Sequence, residues 1–180
     1  MISRFSVLLL ILPFLLLIPN SSNANTLSEK SEFEKFEAIA GDAARIYFRQ
    51  LRDYPLRGGG TPPDELMAMN GKDVEIVGFM IPYDRIENIT TFILLQAPFM
   101  GCFHVPPPQA NETILVHTDK PIRSYTYDPI MVSGNLTIEE VHMEGYLISV
   151  YTIDSAEIRP STNEDAELDD LPPNFHLYGD

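Results

Sequence analysis

The fold of this 180-residue chain is decided by the stretch Lys72-Asp73-Val74-Glu75-Ile76-Val77-Gly78-Phe79-Met80-Ile81-Pro82. Val74 and Ile76 alternate with charged residues, a spacing of two that is typical of a strand with one buried face. Gly78 follows this alternation, and a glycine inside a strand marks a sharp bend of the kind that coils a small barrel. Pro82 lacks a backbone donor and ends the strand. The stretch therefore predicts the first strand of a strongly coiled sheet.

Four further segments have the composition of strands and are separated by turn residues. Residues 130–135 repeat the opening pattern, with Gly134 behind an apolar run. Short strands at this spacing are typical of an all-β sandwich or barrel. We therefore predict a mainly β fold, a small OB-like five-stranded barrel. Its remaining strands are predicted at residues 90–96, 112–117 and 147–153.

The N-terminus has the features of a secretory signal peptide. Arg4 supplies positive charge, residues 7–18 are nearly all apolar, and Ser22-Asn23-Ala24 is a small-x-small cleavage pattern. The apolar run is too short to span a membrane comfortably. We expect residues 1–24 to be removed and a soluble mature protein, without membrane insertion, to reach the periplasm or the exterior.

The mature chain divides into three parts. Residues 25–63 form a helical N-terminal region and linker, since apolar side chains recur at helical spacing over residues 28–52. Residues 64–160 form the OB-like β-barrel domain, which opens with a short helical turn. Residues 161–180 form an acidic tail with six acidic residues and no basic one.

The charge of the chain restricts its partners. Twelve basic residues stand against 26 acidic ones, a formal net charge of -14, which becomes about -15 once Arg4 leaves with the signal peptide. Nucleic acids and anionic membranes need a cationic surface, so neither is expected as a partner. Cations and basic proteins are compatible with this charge. Without basic side chains to support stacking on nucleic acid, the aromatic residues are expected in the core and the barrel mouth.

A second informative stretch, Gly101-Cys102-Phe103-His104-Val105-Pro106-Pro107-Pro108, holds the only cysteine of the chain. An exported protein with one cysteine has no internal disulfide to form. Residues two apart on an extended segment point to the same side, so Cys102 and His104 can meet one ion. Thiolate and imidazole are ligands of zinc and copper, and a full site needs two more donors. The predicted metal ligands are Cys102, His104, His117 and His142.

Two other interpretations of the cysteine stay open. In the first, Cys102 is a buried small hydrophobe, and the protein is an interaction module that docks through the proline loop and the barrel mouth. In the second, the chain is a thiol-dependent enzyme, which requires a base that lowers the pKa of the thiol and a group that orients the base. The sequence assigns no catalytic residue, so a non-enzymatic role is favoured.

Residues 66–117 resemble an uncharacterised family of exported bacterial proteins, known only as a domain of unknown function. The resemblance is carried by residues 71–82, with Phe79 where the family has tyrosine, and by the Gly-Cys-x-His-Val-Pro-Pro-Pro motif. It continues at residues 128–136, whereas residues 109–112 depart from the family pattern. The resemblance implies an envelope metal-binding or transport-accessory role, with a component of an ATP-binding-cassette transporter as partner. It implies no reaction.

Overall fold

The computed structural model describes residues 43–58, 60–98 and 107–161. Within these ranges the chain is mainly β, with six strands and a few short helices. The helical elements are α1 (Phe48–Leu51), α2 (Asp64–Met67) and a 3-10 helix (Ala110–Glu112). The strands are β1 (Ala44–Arg45), β2 (Asp73–Pro82), β3 (Glu87–Leu95), β4 (Thr113–Ser124), β5 (Ile130–Met143) and β6 (Tyr146–Pro160).

The mainly β architecture predicted from the sequence is confirmed. Each of the five predicted strands overlaps one of the strands β2 to β6, and the predicted helical turn coincides with α2. Strand β1 was not predicted. Among the described residues, no helix is both long and apolar enough to cross a membrane.

Within its described part, the helix predicted over residues 28–52 is found only at residues 48–51 and is wrong at residues 44–45. Ala44 and Arg45 form β1, which pairs in parallel with Val74 and Glu75 of β2, and only one helical turn, α1, follows. The physical reason is an open edge, because Val74 pairs with β5 on one side and has no β3 residue on the other. Strand β1 pairs with this edge and satisfies its backbone hydrogen-bonding groups. Residues 25–42 lie outside the described residues, and the division of the chain into domains stays a prediction.

The strands are joined in a closed circuit of hydrogen bonds. The order is β2, β3, β4, β6 and β5, and β5 pairs again with β2. Strands β4 and β6 run parallel, whereas the other pairs in the circuit are antiparallel. We refer to this arrangement as the ring. One contiguous core cluster draws residues from all five of its strands.

Gly78 marks the point where β2 changes partners. It is the last β2 residue paired with β5, and Phe79 is the first paired with β3. A Cβ atom at Gly78 would lie 2.6 Å from the carbonyl oxygen of Leu95 and 2.8 Å from Cγ of Leu94. Gly134 is equally crowded, since its Cβ would lie 2.7 Å from the carbonyl oxygen of Asp154. The two glycines predicted to coil the sheet therefore lie where neighbouring strands leave no room for a side chain.

The N-terminal segment is part of the core. Ile46, Phe48 and Leu51 are completely buried and belong to the same cluster as the inner side chains of the ring. Tyr151 of β6 is also completely buried, and its hydroxyl donates a hydrogen bond to the carbonyl oxygen of Leu51 at 2.7 Å. Burial raises the pKa of the Tyr151 phenol, and the nearby Tyr54 and Asp53 add to the shift. The segment is therefore fixed to β6 by packing and by one buried hydrogen bond.

Replacing Gly78 with alanine should destabilise the protein. The added methyl group would overlap the backbone of β3, and overpacking of this kind costs about 1–3 kcal/mol. The unfolding free energy from urea titration measures the effect, with Ser124→Ala at an exposed strand end as control. Equal stability of Gly78→Ala and the wild type would contradict the close approach of β2 and β3.

Replacing Tyr151 with phenylalanine should lower the unfolding free energy by about 1 kcal/mol, because the carbonyl of Leu51 loses its buried donor. It should also change the pH dependence. A phenol whose pKa is raised by folding contributes stability below its unfolded pKa near 10 and loses it as the pH rises further. Wild-type stability should thus fall more steeply above about pH 10 than that of Tyr151→Phe.

Urea titrations at neutral and alkaline pH measure both effects, and Tyr146→Phe, at a residue that is 75% exposed, is the control. The same alkaline slope in Tyr151→Phe and in the wild type would rule out this role of the phenol.

Candidate functional site

The candidate site is the connection between β3 and β4, residues 96–112, which we call the Cys–His loop. Cys102 and His104 lie outside the described residues, so their participation in a metal site stays a prediction. The two ends of the loop, residues 96–98 and 107–112, are described. The site can therefore be characterised by how its ends are held.

Both ends of the Cys–His loop are hydrogen-bonded to the same turn. At one end, Gln96 is 8% exposed and its Oε1 accepts a hydrogen bond from Nη1 of Arg52 at 2.6 Å. At the other end, Asn111 is 8% exposed, and its Nδ2 donates to the carbonyl oxygens of Arg52 at 3.0 Å and Tyr54 at 2.9 Å. Residues 52–54 follow α1 directly, and we call them the anchor turn. The loop is thus fixed at both ends to one piece of the core-packed N-terminal segment.

The second end of the loop is also tied to β6. Gln109 is the N-cap of the 3-10 helix, and its backbone N–H donates to Oε2 of Glu112 at 2.9 Å. Thr113 then donates through Oγ1 to the carbonyl oxygen of Ile148 at 2.6 Å. In return, Oγ of Ser149 donates to the carbonyl oxygen of Thr113 at 2.6 Å. These contacts fix the backbone at the point where the loop enters β4.

Asn111 has one polar atom left over. Both hydrogen bonds of its side-chain amide come from Nδ2, whereas Oδ1 is buried and has no donor among the described residues. A buried acceptor without a donor costs about 1–3 kcal/mol. The end of the Cys–His loop therefore carries an acceptor that its described surroundings do not satisfy.

The two other predicted ligands lie on different strands. His117 is partly buried on β4 opposite Thr91, and its Nδ1 is 3.2 Å from Oγ1 of Thr91. The exposed His142 lies on β5, with Nε2 3.8 Å from Oε2 of Glu140.

The register keeps the two histidines apart. Val116, the neighbour of His117, pairs with Ile153, whereas His142 pairs with Leu147. Six positions of β6 separate those two partners, which is on the order of 20 Å. The described structure therefore does not bring the two histidines together. The described residues also contain no group of three or more His, Cys, Asp or Glu residues that could hold a metal ion.

His142 is the better placed of the two. Strand β4 begins at Thr113, where the Cys–His loop ends, and runs parallel to β6. His142 pairs with Leu147 of β6 and so lies beyond the start of β4, in the direction of the Cys–His loop. His117, by contrast, lies four residues inside β4. His142 is also exposed, whereas His117 already contacts Thr91.

No local pattern in the sequence marks Arg52, Gln96 or Asn111 as part of this site. Arg52 and Gln96 are 44 residues apart, and Asn111 is 59 residues from Arg52. The departure from the family pattern at residues 109–112 includes Asn111, but it gives no hint of a contact with the anchor turn. Such long-range hydrogen bonds become visible only in the folded chain.

Replacing Asn111 with aspartate should destabilise the protein. A buried carboxylate would face two carbonyl oxygens instead of donating to them, and an uncompensated buried charge costs about 3–5 kcal/mol. Part of the loss should be recovered near pH 4, because a protonated aspartate can donate one hydrogen bond. Urea unfolding at both pH values measures this, with Asn88→Asp at an exposed position as the matched control. Equal losses in the two variants would contradict the anchoring role of Asn111.

Comparison with known proteins shows which family the chain resembles. A family model described as "Protein of unknown function (DUF3299)" matches residues 61–160. The crystal structure of a DUF3299 family protein from Pseudomonas aeruginosa PAO1 is similar, with a TM-score of 0.50 and 22% sequence identity. The match covers 66% of this chain and 96% of the other, and at this identity it supports the fold alone. No curated protein matches the chain. The resemblance to a family of unknown function is confirmed: the chain belongs to the DUF3299 family.

Proposed function

We propose that this protein is an exported metal-binding protein of the cell envelope. Cys102 and His104 bind a transition metal ion, zinc or copper, and the protein delivers it to an envelope transport system. The signal-like N-terminus supports export to the periplasm or the exterior. A lone thiol in an oxidising compartment has no disulfide partner in its own chain, and metal binding gives it a stable use.

The observation that carries the proposal is the anchoring of both ends of the Cys–His loop. Gln96 and Asn111 are buried and bonded to the anchor turn, and Pro106-Pro107-Pro108 restricts the backbone after the two ligands. A loop restrained in this way loses less conformational entropy when its side chains converge on an ion. This favours tight binding through few protein ligands.

His142 is the proposed third ligand. It lies on the side of β5 toward the Cys–His loop, and Glu140 stands 3.8 Å from its Nε2. A carboxylate beside a ligating imidazole orients the ring and raises its basicity. The fourth position remains for water or for a donor from the receiving protein, as in zinc sites that exchange ligands.

We also propose that the ring is an OB-like barrel. Its circuit of five strands, with one parallel pair between the third and the fifth, supports this assignment to a Greek-key barrel. In this proposal the barrel domain spans residues 64–160, with β1 and α1 as an N-terminal addition. The Cys–His loop is then the connection between the second and third strands of the barrel.

Metal analysis of the purified mature protein tests the function. After incubation with zinc or copper and desalting, the wild type should retain about one ion per chain, and Cys102→Ala only a trace. His142→Ala should bind more weakly, whereas His117→Ala should behave like the wild type. Thermal unfolding of the metal-free variants is the control, and all should unfold as the wild type does. Retention of only a substoichiometric trace of zinc or copper by the wild type would contradict the proposal.

A protein-interaction module with a buried Cys102 is the second candidate, favoured by large exposed side chains on the described surface such as Tyr127, which is 81% exposed. Thiol labelling separates the candidates. Alkylation of Cys102 only after denaturation, with no effect of added metal, would favour the interaction module. Alkylation in the native state that added metal suppresses would favour metal binding, and rapid alkylation near neutral pH without a metal effect would indicate a thiol enzyme.

A further inference from the structure

The strands of the ring bury side chains on both of their faces. Side chains alternate along a strand, so the neighbours of a core residue point away from the core. In β2, the core cluster contains Val74, Ile76 and Met80. Val77 and Phe79 lie between Ile76 and Met80 and are outside the cluster, yet each is only 5% exposed. The outer face of β2 is therefore covered as well.

The same burial continues on the outer face of the neighbouring strands. Phe79 pairs with Leu95 of β3, and Val77 pairs with Met131 of β5. Leu115 of β4 belongs to the same face by the register of β3 and β4. Leu95 and Leu115 are 6% exposed and Met131 is 3% exposed, and none of the three belongs to the core cluster. We call this group the outer band, and its members are Val77, Phe79, Leu95, Leu115 and Met131.

A hydroxyl group beside the outer band indicates an apolar cover. Ser133 lies two positions from Met131 on β5 and is 1% exposed. Its Oγ is buried and has no hydrogen-bond partner among the described residues. A hydroxyl on an open sheet face would be hydrated, and burying it without a partner is costly. An apolar layer that excludes water from this face accounts for the burial of Ser133.

The two described α-helices do not supply this layer. Their buried side chains, Phe48, Leu51 and Leu66, all belong to the core cluster. Arg45 of β1 contacts the outer band at one edge, where its Nη1 donates to Sδ of Met131 at 2.9 Å. One side chain covers only a small part of a band that crosses four strands and is about 15 Å wide. Most of the cover has to come from another segment of the chain.

Residues 25–42 fit the outer band by pattern and by position. They carry apolar side chains at helical spacing, with charged residues between them. The chain then enters β1, which pairs with Val74 and Glu75 at the start of β2. As a helix, these residues would be about 27 Å long, which is enough to cross the band. The apolar side chains are Phe33, Phe36, Ile39 and Ala40.

The other two long stretches outside the described ranges fit less well. Residues 99–106 leave and rejoin the ring at the end of β3 and the start of β4. When extended, they reach at most about 14 Å out and back, so they cannot cross the band and return. In residues 162–180, Pro172-Pro173 interrupts the apolar residues and six acids are present.

We propose that residues 25–42 of the mature protein dock as an amphipathic helix on the outer band. The apolar side chains of this segment face the strands, and its charged side chains face solvent. Docking covers an apolar patch that would otherwise promote association between chains. The family region, residues 61–160, is thus completed by a segment that precedes it. The docking does not depend on metal binding.

Thiol labelling of the full mature chain tests the docking. In a Cys102→Ala background, Val77→Cys or Met131→Cys places a single thiol in the outer band. Each should react with a maleimide at least roughly 10-fold more slowly than Ser124→Cys at an exposed strand end, because the helix has to undock first. Val132→Cys, at a completely buried core position, is the second reference.

Matched substitutions within residues 25–42 separate docking from folding. Ala40→Asp places a carboxylate on the apolar face and should raise the labelling rate of Val77→Cys at least roughly 10-fold, because a buried charge is costly. Ala38→Asp makes the same change on the opposite face of the helix and should leave the rate unchanged. Val132→Cys should stay slow in both chains, because the ring stays folded.

Cross-linking measures the docking independently of labelling rates. Benzoylphenylalanine incorporated in place of Phe36 should cross-link on irradiation to peptides of β2, β3 or β5, identified by mass spectrometry. The same group in place of Ala38 should give no such cross-links. If Val132→Cys is labelled rapidly in the Ala40→Asp chain, the ring has unfolded and the cross-links decide.

Equal labelling of Val77→Cys in the Ala38→Asp and Ala40→Asp chains would overturn the proposal, and so would a lack of cross-links from position 36 to these strands. A rise in labelling caused by Leu171→Asp but not by Ala40→Asp would assign the outer band to residues 162–180 instead. Labelling that slows as the protein concentration rises would assign it to a second copy of the chain.

Discussion

The double pairing of β2 is the constraint on which the rest of the structure depends. The first half of β2 pairs with β5 and the second half with β3, and the strand changes partners at Gly78. The backbones come so close there that a side chain at Gly78 would overlap β3. Closing the ring in this way leaves the first half of β2 with an open edge. Strand β1 covers that edge, and Ile46, Phe48 and Leu51 enter the core behind it.

The candidate site follows from this arrangement of the N-terminal segment. Because α1 is packed in the core, the anchor turn stands at the end of the ring where the Cys–His loop begins and ends. The buried Gln96 and Asn111 bind that turn from opposite ends of the loop. The family model begins only at residue 61, yet a segment before it supports the loop that carries the family-like motif. The stability of the loop ends therefore depends on the packing of the N-terminal segment in the core.

The sequence predicted those parts of the fold that depend on local patterns. The alternation around Val74 and the glycines at 78 and 134 marked the strands and their bends, because side-chain spacing and the lack of a Cβ act within a few residues. Strand β1 has only two residues and is stabilised by the edge it meets, so helical spacing nearby misled the prediction. Arg52, Asn111 and the exposure of Tyr127 depend on segments brought together by the ring, which no local pattern records.

The parallel pairing of β4 with β6 has a consequence for synthesis of the chain. Strand β6 pairs with β4 on one side and with β5 on the other, and it is the last strand along the described sequence. Until residues 146–160 have emerged from the ribosome, β4 and β5 each present an unpaired edge, and such edges promote association between chains. The ring cannot close before these residues have been made, so the edges of β4 and β5 stay accessible to chaperones until then.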